Sequence, residues 1–146
     1  MKKAFFLFLF ISATNLCLAQ NKTYAFFMIG NYNYPEWEKL EFQFTDEGRN
    51  ITYSYRKNEK GYKLSILGTK YIGNKKCLIV QIPKFNQRYL IFRDRKNSRI
   101  LMTSEDNTYK KYFPLGYEGP IDGRGTYCDI CANEPDEAFE IVDSFF

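Results

Sequence analysis

The feature that most restricts the fold is a series of chain-reversing clusters, which recur roughly every ten to thirteen residues through the middle of the chain. Glycine tolerates a positive φ, and asparagine or aspartate can hydrogen-bond its own backbone, so each cluster can turn the chain around. This spacing is typical of antiparallel strands and too short for alternating strands and helices. The clusters are Asp46–Arg49, Asn58–Gly61, Gly73–Lys75, Pro83–Gln87, Asp94–Ser98 and Glu105–Asn107.

The stretches between the clusters predict eight β-strands. Leu40, Phe42 and Phe44 share one face of the second strand, and Ile51, Tyr53 and Tyr55 repeat the alternation in the third, as in strands with one wet face. Later strands are apolar on both faces, so we expect something to cover their outer side. The predicted strands span residues 24–29, 38–45, 50–56, 62–70, 76–82, 88–93, 98–103 and 108–113.

Eight antiparallel strands can close into a small barrel, which removes the exposed edges of the sheet. Aromatic residues make up 18% of the chain, and such side chains favour half-buried sheet surfaces. We therefore expect a mainly β fold, an antiparallel meander that forms a small closed or partly open barrel. In shape this architecture resembles the lipocalins, which hold small apolar ligands. The resemblance is confined to shape, because the Gly-x-Trp motif of lipocalins is missing: Gly30 and Trp37 are seven residues apart.

The C-terminal segment predicts a short helix packed on the barrel. Asn133 is a capping residue, Pro135 suits a first helical turn, and Asp136 and Glu137 favour a helix N-terminus. The apolar residues that follow share one helical stripe: Ala138, Phe139, Val142, Phe145 and Phe146. We expect this stripe to cover the outer face of the strands that are apolar on both sides. The alternative is a frayed tail.

Residues 1–19 have the order of regions found in a secretory signal. Lys2 and Lys3 precede an apolar run, and small or polar residues follow as far as Ala19. We expect cleavage after Ala19, which leaves residues 20–146 as one exported domain, periplasmic or extracellular, without a transmembrane segment. The alternatives are a retained membrane anchor, for which the apolar run is short, and a lipoprotein attached through Cys17.

Charge is unevenly distributed along the chain. The net charge is −3 for residues 20–48, +12 for residues 49–111 and −7 for residues 112–146. We expect the acidic end to fold back on the basic part, where opposite charges within about 10 Å neutralise each other. The alternative is that either surface docks a charged partner. We do not expect nucleic acid as a partner, because export separates the protein from it and many basic residues flank turns.

Three cysteines follow the expected cleavage site: Cys77, Cys128 and Cys131. Since disulfides persist outside the cytoplasm, we expect one disulfide, which either joins Cys128 to Cys131 or joins Cys77 to one of them. A redox site is the second interpretation, although the acidic neighbours of the pair oppose a thiolate. A metal site is the third, although it lacks a second cysteine pair and any histidine. We expect no cofactor and no metal.

The candidate binding residues lie near Trp37 and in the glycine-rich segment 116–125. Long loops at the end of a barrel often carry binding residues. The four glycines of this segment could also cradle an anion, but the pattern of a phosphate-binding loop is absent. The candidates for contact with a ligand or partner are Trp37, Tyr117, Glu118, Asp122 and Arg124.

No catalytic constellation is evident in the sequence. Histidine is absent, which excludes a Ser-His-Asp triad and an imidazole acid or base. Glu36, Glu38 and Glu41 lie close together around Trp37, and paired carboxylates can hydrolyse glycosidic bonds. Glu41, however, alternates with core positions and should face water. We therefore expect a protein that is not an enzyme.

These observations together predict an exported, non-catalytic binding protein. Its aromatic residues exceed what one small core needs, so we expect a small apolar or aromatic ligand inside the barrel or at its mouth. The alternative is a protein-interaction module, such as an inhibitor or immunity-type partner of a secreted protein. That module would use the glycine-rich loop and the acidic C-terminal segment.

Overall fold

The computed structural model describes residues 22–29, 37–56, 59–116 and 135–146. Within these ranges the chain forms antiparallel strands and one C-terminal helix, and a single 3₁₀ turn at Arg95–Asn97 precedes the eighth strand. The strands are β1 (Lys22–Ile29), β2 (Trp37–Thr45), β3 (Gly48–Ser54), β4 (Tyr62–Lys63), β5 (Ser65–Ile72), β6 (Lys75–Ile82), β7 (Gln87–Asp94), β8 (Arg99–Ser104) and β9 (Lys110–Gly116). The helix is α1 (Pro135–Asp143).

The strands form one meander that curls into a nearly closed barrel, in the order β4-β3-β2-β1-β9-β8-β7-β6-β5. The first and last strands meet, because β1 pairs with both β2 and β9. The two edge strands, β4 and β5, are separated only by Leu64, whose N–H donates to the carbonyl of Ile51 at 2.8 Å. The two edges of the sheet therefore meet at Leu64. The predicted meander is confirmed, with a bend at Leu64 dividing the predicted strand 62–70 into β4 and β5.

Alternate side chains of the strands point into one continuous core. Phe26 lies opposite Leu40 across β1 and β2, and Ile100 lies opposite Phe113 across β8 and β9. All four side chains are fully buried. The remaining barrel residues of this core are Phe42, Ile51, Tyr53, Leu64, Leu78, Val80, Ile82, Tyr89, Ile91, Met102 and Leu115.

Helix α1 packs on the barrel as predicted, but on a different surface from the one we expected. The ring of Phe139 lies 5.7 Å from that of Phe26, and the ring of Phe145 lies 5.4 Å from that of Phe42. Because Phe26 and Phe42 face the interior, the apolar stripe of the helix enters the core at one end of the barrel. A barrel this narrow is filled by side chains, and the helix supplies the ones that close this end. The outer face of β6–β8 keeps half-buried apolar residues such as Phe92.

Charged residues hold the helix across its end of the barrel. Asp143 accepts a hydrogen bond from Arg93 of β7 at 2.5 Å and another from Arg95. On the opposite wall, Arg49 of β3 donates to the carbonyl of Ser144. In the helix, Asp143 of the acidic end therefore meets the basic part of the chain, as the charge distribution predicted. The acidic residues of segment 117–134 lie outside the described residues.

Candidate functional site

A buried carboxylate, that of Glu38, lies at the end of the barrel opposite helix α1. Tyr53 and Tyr109 each donate a hydrogen bond to its Oε2, at 2.9 and 2.8 Å, and Lys111 pairs with Oε1. Only 9% of the Glu38 side chain is exposed. The group joins β2, β3 and the start of β9 across this end, which we call the mouth of the barrel.

The strand register explains why a carboxylate is buried here. Glu38 has the same orientation along β2 as Leu40 and Phe42, so its side chain points into the barrel. Burying a charge costs several kcal/mol unless it is paired and hydrogen-bonded. Three donors meet that need, and every buried side-chain polar atom of the described residues has a hydrogen-bond partner. A fully satisfied network of this kind favours one arrangement of the side chains.

The two tyrosines are fixed as donors. Burial raises the pKa of Tyr53 and that of Tyr109 well above the ordinary value, and the negative charge of Glu38 raises both further. Burial also raises the pKa of Tyr89. Each of these phenols therefore remains protonated at neutral pH, and the two that face Glu38 stabilise its negative charge.

The turn between β8 and β9 positions Tyr109. Its N–H donates to Ser104 Oγ at 2.9 Å, and its carbonyl accepts from Ser104 N–H at 3.0 Å and from Thr103 Oγ1 at 2.9 Å. The hydroxyl of Ser104 also donates to Asp106. Together with two donors on Thr108, this bond lowers the pKa of the Asp106 carboxyl to about 2. These bonds hold the backbone of Tyr109 where its ring can reach Glu38.

Aromatic rings continue from the buried carboxylate toward solvent. Tyr62 of β4 lies opposite Tyr53, its ring centre is 6.0 Å from that of Tyr55 with the two planes 4° apart, and it meets Phe85 edge-on at 5.7 Å. Tyr55 is 37% exposed and Phe85 52%. Lys84 lies over this group, with Nζ 5.4 Å from the centre of the Tyr62 ring.

On the other side of Glu38, Tyr89 packs edge-on against Tyr109 at 5.5 Å between ring centres. Six aromatic side chains therefore surround the mouth, and we call them the mouth aromatic cluster. They are Tyr53, Tyr55, Tyr62, Phe85, Tyr89 and Tyr109. Each of these side chains has an apolar ring face, and all except Phe85 also carry a hydroxyl. Together they suit a small flat molecule with polar groups.

A recess of about 460 Å³ lies between the β6–β7 and β8–β9 turns. It is linked to the cluster through Gln87 in its wall, which accepts a hydrogen bond from the hydroxyl of Tyr89 at 2.9 Å. Its walls are polar and carry both signs of charge, with Arg88 on one turn and Asp106 on the other. The lining residues are Gln81, Asn86, Gln87, Arg88, Ser104, Glu105 and Asp106. The volume is within the range of small-molecule sites.

The structure places the sequence candidates unevenly. Trp37 begins β2 at the mouth, but it alternates with Glu38 and so belongs to the outer face, with Lys39 Nζ 5.4 Å from its ring centre. The other binding candidates lie outside the described residues, and their predicted roles remain predictions: Tyr117, Glu118, Asp122 and Arg124.

Of the three cysteines considered above, only Cys77 lies within the described residues. Cys77 is a buried free thiol whose Sγ lies 3.4 Å from the carbonyl oxygen of Lys70. Burial raises its pKa. A free Cys77 does not agree with the predicted alternative of a disulfide from Cys77 to Cys128 or Cys131. Cys128 and Cys131 lie outside the described residues, so a disulfide between them remains a prediction. Within the described ranges, no group of three or more metal-ligating side chains comes together.

Two of the three glutamates near Trp37, Glu38 and Glu41, do not converge as a catalytic pair. Glu38 points into the barrel, whereas Glu41 lies on the outer face and pairs with Lys39 at 3.1 Å. Glu36 lies outside the described residues. Sequence reasoning missed the role of Glu38, although one signal was present: it is a charged residue in phase with the apolar face of Leu40 and Phe42.

The fold and site define a small antiparallel barrel with a helix in one end and a hydrogen-bonded carboxylate among tyrosines at the other. No protein-family model matches the chain, and neither does any curated protein or solved structure. No helix among the described residues has the length and apolar character that crossing a bilayer requires.

Proposed function

We propose that the protein is an exported, non-catalytic binding protein that takes a small aromatic molecule at the mouth of its barrel. The observation that carries this proposal is the mouth aromatic cluster, in which exposed rings continue into a buried, fully hydrogen-bonded carboxylate. Export is supported by the order of charged, apolar and small residues in segment 1–19.

The position of the core favours the mouth over the interior as the binding place. Side chains of the strands and of helix α1 share one core that reaches from the helix to Tyr53 and Tyr89. A flat ligand would stack on the exposed rings of Tyr55 and Phe85, which Tyr62 joins, and direct its polar groups toward the recess. Stacking of two aromatic rings contributes about 0.5–1.5 kcal/mol beyond the area it buries, so several rings can give measurable affinity.

The alternative, a partner docked through residues 116–146, has less support. The apolar stripe of helix α1 is buried in the barrel, and Asp143 is engaged by Arg93 and Arg95. These groups are already used within the chain, which leaves fewer of them for a partner.

Native mass spectrometry of protein purified from the exported fraction tests the proposal. We expect a noncovalent adduct that denaturing conditions remove. Tyr62→Ala should lower the affinity for the bound molecule about tenfold, in keeping with about 1.4 kcal/mol of lost stacking. Tyr112→Ala, which removes a tyrosine that is 37% exposed on the outer face, is the control. Full occupancy in Tyr62→Ala, or wild-type protein free of any adduct after incubation with small aromatic acids and amines, would contradict the proposal.

A further inference from the structure

Strand β5 has an exposed edge with large apolar side chains. It pairs with β6 from Ser65 to Ile72, and beyond Leu64 no other strand among the described residues pairs with its second edge. Ile66, Leu67, Tyr71 and Ile72 are 40%, 46%, 69% and 47% exposed. Within the described ranges, N–H and C=O groups without a strand partner and apolar side chains therefore lie side by side along β5.

Such a concentration of exposed apolar side chains is unusual for the edge strand of a sheet. Natural edge strands are commonly protected by charged residues, proline or a bulge. β5 has one bulge, at Leu67, and one charged residue, Lys70, whose ammonium is bound to Glu105 at 3.0 Å. The regular stretch after the bulge, Thr69–Ile72, thus lacks a free charge of its own.

The residues that flank β5 along the chain are positively charged, although Glu105 approaches the strand in space and pairs with Lys70. Residues 60–93 contain eight lysines and arginines and no aspartate or glutamate. Lys63 precedes the strand, and Lys75 and Lys76 follow it, with Lys63 and Lys75 exposed. A positive surface attracts and orients a partner of opposite charge and repels one of its own kind.

We propose that β5 binds an extended, acidic segment of another protein by β-strand addition along Thr69–Ile72. Backbone hydrogen bonds at the free edge supply affinity, and side-chain contacts on alternate faces supply selectivity. Tyr71 contacts apolar residues on one face of the added strand, and Lys75 attracts its carboxylates. A second copy of this chain is disfavoured, because it would bring two sets of lysines together.

Synthetic peptides of about ten residues provide the test, since strand addition needs only a short extended segment. One alternates Glu with Val, a second has Lys in place of each Glu, and a third repeats the first with a central Pro. We expect fluorescence anisotropy to show that the Glu peptide binds at least about tenfold more tightly than the Lys peptide. The Pro peptide should bind weakly, because proline cannot continue a ladder. Amide hydrogen exchange should slow at Thr69–Ile72.

Variants locate the binding on the strand. Tyr71→Glu adds a like charge and should lower the affinity for the Glu peptide about tenfold or more. Tyr112→Glu, on the outer face of β9, should leave this affinity unchanged. Three results would overturn the proposal: equal affinity for the Glu and Lys peptides, no binding at roughly 1 mM peptide, or protection outside β5. A concentration-dependent dimer that Tyr71→Glu abolishes would assign the edge to a second copy and would also overturn it.

Discussion

The hydroxyl of Tyr109 offers a direct test of the buried network at the mouth. Tyr109→Phe keeps the ring that packs against Tyr89 and removes one hydrogen bond to Glu38, 2.8 Å long. A hydrogen bond to a charged group contributes about 1.5–3 kcal/mol, and the carboxylate here has little access to water that could replace it. We therefore expect Tyr109→Phe to lower the free energy of unfolding by about 1.5–3 kcal/mol.

Urea unfolding followed by circular dichroism measures this loss, since the free energy of unfolding falls linearly with denaturant. Tyr112→Phe is the matched control, because the ring of Tyr112 lies on the exposed face against Arg99. This substitution should change the free energy of unfolding by no more than about 0.5 kcal/mol. In combination with Glu38→Gln, Tyr109→Phe should cost less than it does alone, because the two residues share one network. Additive losses, or a loss in Tyr109→Phe no larger than in the control, would refute the reasoning.

Three further predictions concern the core, a close approach and pH. Phe139→Ala should lower the free energy of unfolding by about 3–5 kcal/mol, because Phe139 is 1% exposed; Phe44→Ala, at 37% exposure, should cost much less in the same urea assay. Gly61→Ala should cost about 1–3 kcal/mol, because an added Cβ would lie 2.3 Å from Ser54 Oγ; unchanged stability would contradict this contact. The two tyrosines that bind Glu38 have raised pKa values, so their stabilisation is complete below the unfolded value near about 10 and is lost as the pH rises above it. Absorbance at alkaline pH should therefore show these phenols ionising together with unfolding, and their ionisation in folded protein would contradict the assignment.

The strands could be predicted from the sequence because their signals are local. Alternation correctly identified Leu40, Phe42, Ile51 and Tyr53 as interior residues, all of which are buried. Phe44 and Tyr55 continue the same two patterns but are each 37% exposed, because they lie at or just beyond the ends of their strands. The bend at Leu64 carries no such signal, since this residue continues an apolar, strand-favouring stretch. It follows from barrel closure, which brings the two sheet edges together at one residue.

The position of helix α1 and the mouth could not be predicted in the same way. A helical stripe indicates that Phe139 and Phe145 are buried, but it does not say against which face of the sheet. Tyr109 and Glu38 are 71 residues apart, and their contact depends on how β2 and β9 meet across β1. The one sequence signal for a carboxylate inside the barrel is that Glu38 shares the strand face of Leu40 and Phe42.

Ring chemical shifts test the central claim, binding at the mouth, most directly. We would label tyrosine and phenylalanine rings with ¹³C and titrate the full chain with indole, phenol and benzoate while recording NMR spectra. Binding at the mouth predicts saturable shifts of Tyr55, Tyr62 and Phe85, with little change at Phe139 in the helix end. Shifts confined to Phe139 and its neighbours, or none at the mouth with any of the three compounds, would contradict it.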